Sequence, residues 1–85
     1  MSADQPPSRL RWRCRRGMQE LDVMLGGWLE ACWGQAGESL RADFERLLEV
    51  EDDRLWDWLS GRTPPEPELE SIVEAIRARH FPSAR

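Results

Sequence analysis

The chain has 85 residues and a mass of 9.9 kDa, which allows one small domain and excludes a nucleotide-binding domain paired with a separate catalytic one. A chain this short buries only about 60–65% of its unfolded surface, so its core has to be compact. Apolar residues make up 40% and charged residues 33%, a balance that reads as globular and soluble. The net charge of −4 hides an asymmetry: residues 1–16 carry five arginines against Asp4 alone, and the rest carries seven arginines against fifteen acids. Lysine is absent, so every basic side chain is a planar guanidinium fork suited to carboxylate or phosphate, although a GC-rich genome explains the bias more simply. No apolar run approaches the roughly 18 residues of a membrane span, and no apolar h-region marks a signal peptide. Two cysteines, Cys14 and Cys32, and one histidine, His80, supply neither a disulfide framework nor a zinc set.

Residues 1–7 read as a lead-in. Pro6-Pro7-Ser8 then reads as a stop followed by an N-cap, and a short basic helix is predicted over 8–16, ended by Gly17. The second helix is the clearest: Met18, Leu21, Leu25, Trp28, Leu29 and Cys32 recur at helical spacing and form one core-facing stripe. Gly26 and Gly27 lie inside it, each costing about 1 kcal/mol relative to alanine, and mark either close packing or a kink. A linker follows, Trp33-Gly34-Gln35-Ala36-Gly37. The third helix is predicted over 39–50, with Leu40, Phe44, Leu47 and Leu48 inward. The fourth runs from Asp53 to Leu59 with Asp52 as N-cap and Gly61 as terminator. Its acidic start suits the positive end of the helix dipole. After the stiff Pro64-Pro65-Glu66-Pro67 segment, a fifth helix spans about 67–80, with Leu69, Ile72, Val73 and Ile76 inward. Arg77, Arg79 and His80 sit at its C-terminus, where positive charge is favoured. Residues 82–85 read as a tail. The expected fold is therefore all-α, a small single-domain bundle of about five helices over 8–81.

No catalytic set is visible. There is no Ser/His/Asp set, because the only histidine, His80, lies near the C-terminus; Gly26-Gly27 is not a phosphate loop between strand and helix, and no carboxylate pair is marked as held in a cleft. The unusual segment is Arg15-Arg16-Gly17-Met18-Gln19-Glu20-Leu21-Asp22. Singly, each residue has a plain reading. Gly17 serves a helix boundary, Glu20 reaches back to the Gly17 N–H as half of a capping box, and Arg15 and Arg16 are solvated. Asp22 fits less well, because it lies about 20° beyond Leu29 at the edge of the apolar stripe. A carboxylate there should be paired, and an arginine of the first helix is its natural mate. Together these residues place forked donors beside acceptors, with a glycine that allows close backbone approach. Such a corner suits docking onto a protein surface.

Arg16-Gly17-Met18-Gln19-Glu20-Leu21-Asp22 matches the RGxxExD signature and resembles that of the succinate dehydrogenase flavinylation factors, the SdhE-type assembly-factor family. The resemblance continues in Arg11-Trp12 with Cys14-Arg15, in Phe44-Glu45-Arg46-Leu47-Leu48-Glu49 (FxxLLE), then Asp52, in Leu55 with Trp58-Leu59 (LxxWL) and Gly61, and in Leu69-Glu70. It covers about residues 9–80. The resemblance implies an accessory protein and not an enzyme. Such a protein binds the flavoprotein subunit of succinate dehydrogenase, and in bacteria that of fumarate reductase, and promotes covalent attachment of FAD to a histidine of that subunit. FAD then belongs to the partner, and the chain has no cofactor or metal of its own. The resemblance places the working surface at Arg16, Gly17, Glu20 and Asp22, and position and charge extend it to Arg15.

Trp28 and Trp58 fall on apolar stripes and are expected in the core. Trp12 and Trp56 are candidate interface anchors, since Trp and Arg are enriched at hot spots; Trp56 is expected to lean outward. Both cysteines are expected as buried small hydrophobes. The main alternative function is nucleic-acid binding or regulation through the arginine helix, with Trp12 as a stacking platform. An acidic domain of pI about 5.0 opposes it. Direct flavin carriage on a tryptophan is a second alternative. The expected setting is a bacterial cytoplasm without membrane insertion, with a mitochondrial location as the rival and a monomer favoured.

Overall fold

The structure is a computed structural model, and it describes residues 5–81. Among these the chain forms α1 (Ser8–Arg13), α2 (Gln19–Cys32), α3 (Glu38–Leu47), α4 (Asp52–Leu59) and α5 (Glu70–His80), with 3₁₀ turns at Trp33–Gln35 and Pro67–Leu69. No strand occurs among the described residues, and the all-α reading stands. The outer residues 1–4 and 82–85 of the expected lead-in and tail lie outside the described residues; Pro6, within the lead-in, is buried.

The core follows the helical stripes. α5 lies between α2, α3 and α4 and packs against all three. Leu21, Leu25 and Leu29 of α2, Leu55 and Leu59 of α4, and Ile72 and Ile76 of α5 are fully enclosed. Burial of such side chains is the main favourable term, about 1.5–3 kcal/mol each. Phe44 of α3 stacks on Trp28 with ring centroids 4.9 Å apart. Trp33 meets the same ring edge-on at 6.4 Å.

Several boundaries differ from the expected ones, each for a visible reason. α1 ends at Arg13, three residues early, because the N–H groups of Arg16 and Gly17 go to the Asp22 carboxylate instead of to helical carbonyls. Ser8 is the first helical residue and not the cap; Pro7 holds the cap position without a side-chain hydrogen bond. α3 stops at Leu47 and not at 50, since Leu48 and Val50 turn their carbonyls toward Arg16. α4 includes Asp52, with Glu51 at the cap position, and the Asp52 carboxylate accepts from Arg16 Nε in place of capping the helix. The first turn of the fifth segment is 3₁₀, so α5 proper begins at Glu70.

Packing also departs from expectation at particular residues. Trp33, placed in a linker by the sequence, is buried, and Arg41 both covers its ring at 4.9 Å and donates to its carbonyl at 2.9 Å. Trp56, expected to lean outward, is half-buried against the core. Cys14 is buried as expected, whereas Cys32 is only half-buried. α2 runs unbroken through Gly26 and Gly27, and a Cβ at either would meet nothing within 4 Å, so neither glycine is needed for packing among the described residues. Gly61 does terminate α4, at φ +86°, and the Arg77 guanidinium lies over it and donates from Nε to the Leu59 carbonyl at 3.1 Å.

Candidate partner-docking site

The loop from Cys14 to Met18 joins α1 to α2 and carries the RGxxExD segment. Gly17 sits at φ +89°, a conformation that costs other L-residues about 1–2 kcal/mol. Space is open above it, since a Cβ built there has no neighbour within 4 Å. Asp22, one turn into α2, closes the loop from below: Oδ1 accepts the Arg16 N–H at 2.7 Å and Oδ2 accepts the Gly17 N–H at 3.3 Å. The expected mate of Asp22 was an arginine side chain. The mate is the loop backbone, because a carboxylate at the start of a helix can satisfy N–H groups that no helical carbonyl reaches.

Arg16 turns inward, contrary to the solvated reading. Its side chain is 13% exposed. Nε donates to Asp52 Oδ1 at 2.8 Å, Nη1 to the carbonyls of Leu48 at 2.8 Å and Arg13 at 3.1 Å, and Nη2 to the carbonyl of Val50 at 2.7 Å. One planar fork therefore ties the α1–α2 loop to the α3–α4 loop, a task that lysine's single ammonium cannot perform. Asp52, Leu48 and Val50 were missed as members of this corner. Asp52 was read as a helix cap and as part of the family resemblance, neither of which pointed to Arg16, and backbone carbonyls carry no sequence signal.

Glu20 makes no capping box. Its Oε2 lies 2.6 Å from His80 Nε2, across 60 residues of sequence. Arg15 and Trp12 are exposed, the tryptophan at 70%, and the Arg15 guanidinium lies 5.6 Å from the Trp12 ring centroid, a cation–π contact. A shallow groove beside them is lined by Ser8, Arg11, Trp12 and Arg15. The structure thus brings Arg15, Gly17 and Glu20 to the surface around the loop and Trp12 beside Arg15, while Arg16 and Asp22 build the loop from within. Trp56 stands apart on α4.

The basic segment is largely answered by acids. Arg11 meets Glu30 at 2.6 Å, Arg9 meets Glu45 at 3.4 Å and Arg16 meets Asp52. Burial pushes the Cys14 thiol up to about 11, against the pull of Arg16, so at neutral pH it is an inert hydrophobe and not a nucleophile. Among the described residues no group of three or more His, Cys, Asp or Glu could hold a metal, and no helix is long and apolar enough to cross a membrane.

Comparison with known proteins adds a family match. The family described as "Flavinator of succinate dehydrogenase" matches residues 8–80. A Vibrio vulnificus (strain YJ016) protein named "FAD assembly factor SdhE" is 41% identical over 86 aligned positions, covering 100% of both chains. Two Xylella fastidiosa proteins bear the same name. That of strain 9a5c is 42% identical over 78 residues, covering 88% of this chain and 80% of its own. That of strain Temecula1 is 54% identical over 54 residues, covering 64% of this chain and 56% of its own.

Proposed function

This chain belongs to the succinate dehydrogenase flavinator family, and from that premise we propose that it binds the flavoprotein subunit of succinate dehydrogenase and promotes covalent attachment of FAD there. The role is that of an assembly factor. The bond-forming chemistry belongs to the flavoprotein, and so does the FAD. The helper raises the population of the arrangement in which the flavin and its target histidine meet, which requires only that it bind this arrangement better than the others. The related flavoprotein of fumarate reductase is proposed as a second client, the bacterial cytoplasm as the setting, and the monomer as the working form.

One observation carries the docking surface: the RGxxExD loop is held rigid from inside by Arg16 and Asp22, with Gly17 and Glu20 on its outer side. A rigid loop loses little entropy on binding, and the open space over Gly17 admits a partner backbone. Arg15 and Trp12 extend the surface as an exposed fork on an aromatic plate. Trp56 is not needed for it. The nucleic-acid alternative is disfavoured, because Arg9, Arg11 and Arg16 already face carboxylates and affinity for phosphate depends on free cations.

Titration of the purified flavoprotein subunit with this protein tests the proposal. A saturable complex is expected, weakened about tenfold or more by Glu20→Ala and by Trp12→Ala. Absence of a complex, together with salt-sensitive binding to single-stranded nucleic acid, would overturn it.

A further inference from the structure

We infer that His80 is a positioning residue of the docking site: from the end of α5 it fixes the carboxylate of Glu20 at the outer side of the loop. This rests on the docking reading above. His80 lies in the last turn of α5 and Glu20 in the first turn of α2, and α2 packs against α5. An ionised carboxylate only accepts, so Nε2 donates the hydrogen bond of 2.6 Å to Oε2. Glu20 Oε1 has no hydrogen-bond partner among the described residues. The histidine therefore takes one oxygen and leaves the other for a donor of the partner, an arginine, a lysine or a backbone N–H.

The histidine is better anchored than the glutamate. The His80 side chain is 23% exposed against 55% for Glu20, and the Phe81 ring stands edge-on to it at 4.7 Å. An exposed pair of this kind contributes little to folding. Its effect is to reduce the freedom that a long glutamate side chain otherwise loses on docking, a cost that amounts to about threefold to tenfold in affinity. Neither the composition of the motif nor its spacing points to a residue 60 positions away.

The test is the dissociation constant of the flavoprotein complex for wild type, His80→Ala, His80→Gln, Glu20→Ala and the double variant Glu20→Ala/His80→Ala, with helicity checked by circular dichroism. His80→Ala is expected to bind about threefold to tenfold more weakly. His80→Gln, whose Nε2 amide donates from a similar reach, is expected to restore most of the affinity. The double variant is expected to bind like Glu20→Ala alone. His80→Ala binding as wild type, binding more tightly, or weakening the Glu20→Ala variant further would overturn the positioning role. If Glu20→Ala itself binds as wild type, Glu20 is not a docking residue and the inference falls with it. If wild type forms no complex, the proposed function fails first.

Discussion

At the scale of single residues, the motif divides by direction. Arg16 and Asp22 spend their hydrogen-bonding capacity inside the molecule, on three carbonyls, Asp52 and two loop N–H groups. Removing the Arg16 fork leaves several part-buried acceptors without a donor, and charged hydrogen bonds of this kind are among the stronger ones. Arg16→Ala is therefore expected to cost about 2–4 kcal/mol, seen as a melting temperature lower by on the order of 10 °C. Arg16→Lys is expected to recover little of it, since a point charge cannot reach four acceptors. A melt of Arg16→Ala superposing on wild type would refute the inward role. The sequence showed that these residues belong together but not which way they face. Asp22 was recognisable as needing a partner because it sits at the edge of an apolar stripe. The direction of Arg16 depends on carbonyls of Leu48 and Val50, more than 30 residues away, and no side-chain pattern encodes a carbonyl's aim.

At the scale of elements, helix identity was legible, and so were the C-terminal ends of α2 at Cys32, α4 at Leu59 and α5 at His80, whereas the ends of α1 and α3 were not. The stripes of α2, α4 and α5 identify their buried faces because the 3.6-residue period depends on side chains alone. The ends of α1 and α3 lie at one tertiary cluster, the Arg16 fork and the Asp22 carboxylate, which engage backbone groups just beyond each helix. Trp33 shows the same limit: a glycine-flanked position reads as linker, yet its ring closes the core against Phe44. Within α2, Gly26 and Gly27 weaken the helix without a packing reason among the described residues. Gly27→Ala is expected to raise stability by about 0.5–1 kcal/mol in denaturant or thermal unfolding. A loss of stability would show that the backbone there needs freedom that the unbroken helix does not reveal. Gly61 behaves oppositely, because its positive φ strains any other L-residue, and the Arg77 guanidinium above it would have to shift to admit a Cβ.

At the scale of the whole molecule, the fold brings the start of α2 and the end of α5 to one corner. The α1–α2 loop, the start of α2 and the end of α5 meet where Glu20 reaches His80, while the α3–α4 loop braces the same corner from behind through Arg16 and Asp52. The proposed docking role uses the small bundle as a rigid mount for a short exposed surface, which fits a helper that selects one arrangement of a larger partner. The most direct check is covalent flavin in the succinate dehydrogenase flavoprotein, read as in-gel fluorescence after denaturation. It compares cells with this protein, cells lacking it, and cells carrying Glu20→Ala, whose fold should survive because the only side-chain bond of Glu20 among the described residues is an exposed pair. Fluorescence should fall sharply without the protein and should not be restored by Glu20→Ala. Equal fluorescence in all three strains would contradict the assembly role and the placing of Glu20 on its working surface.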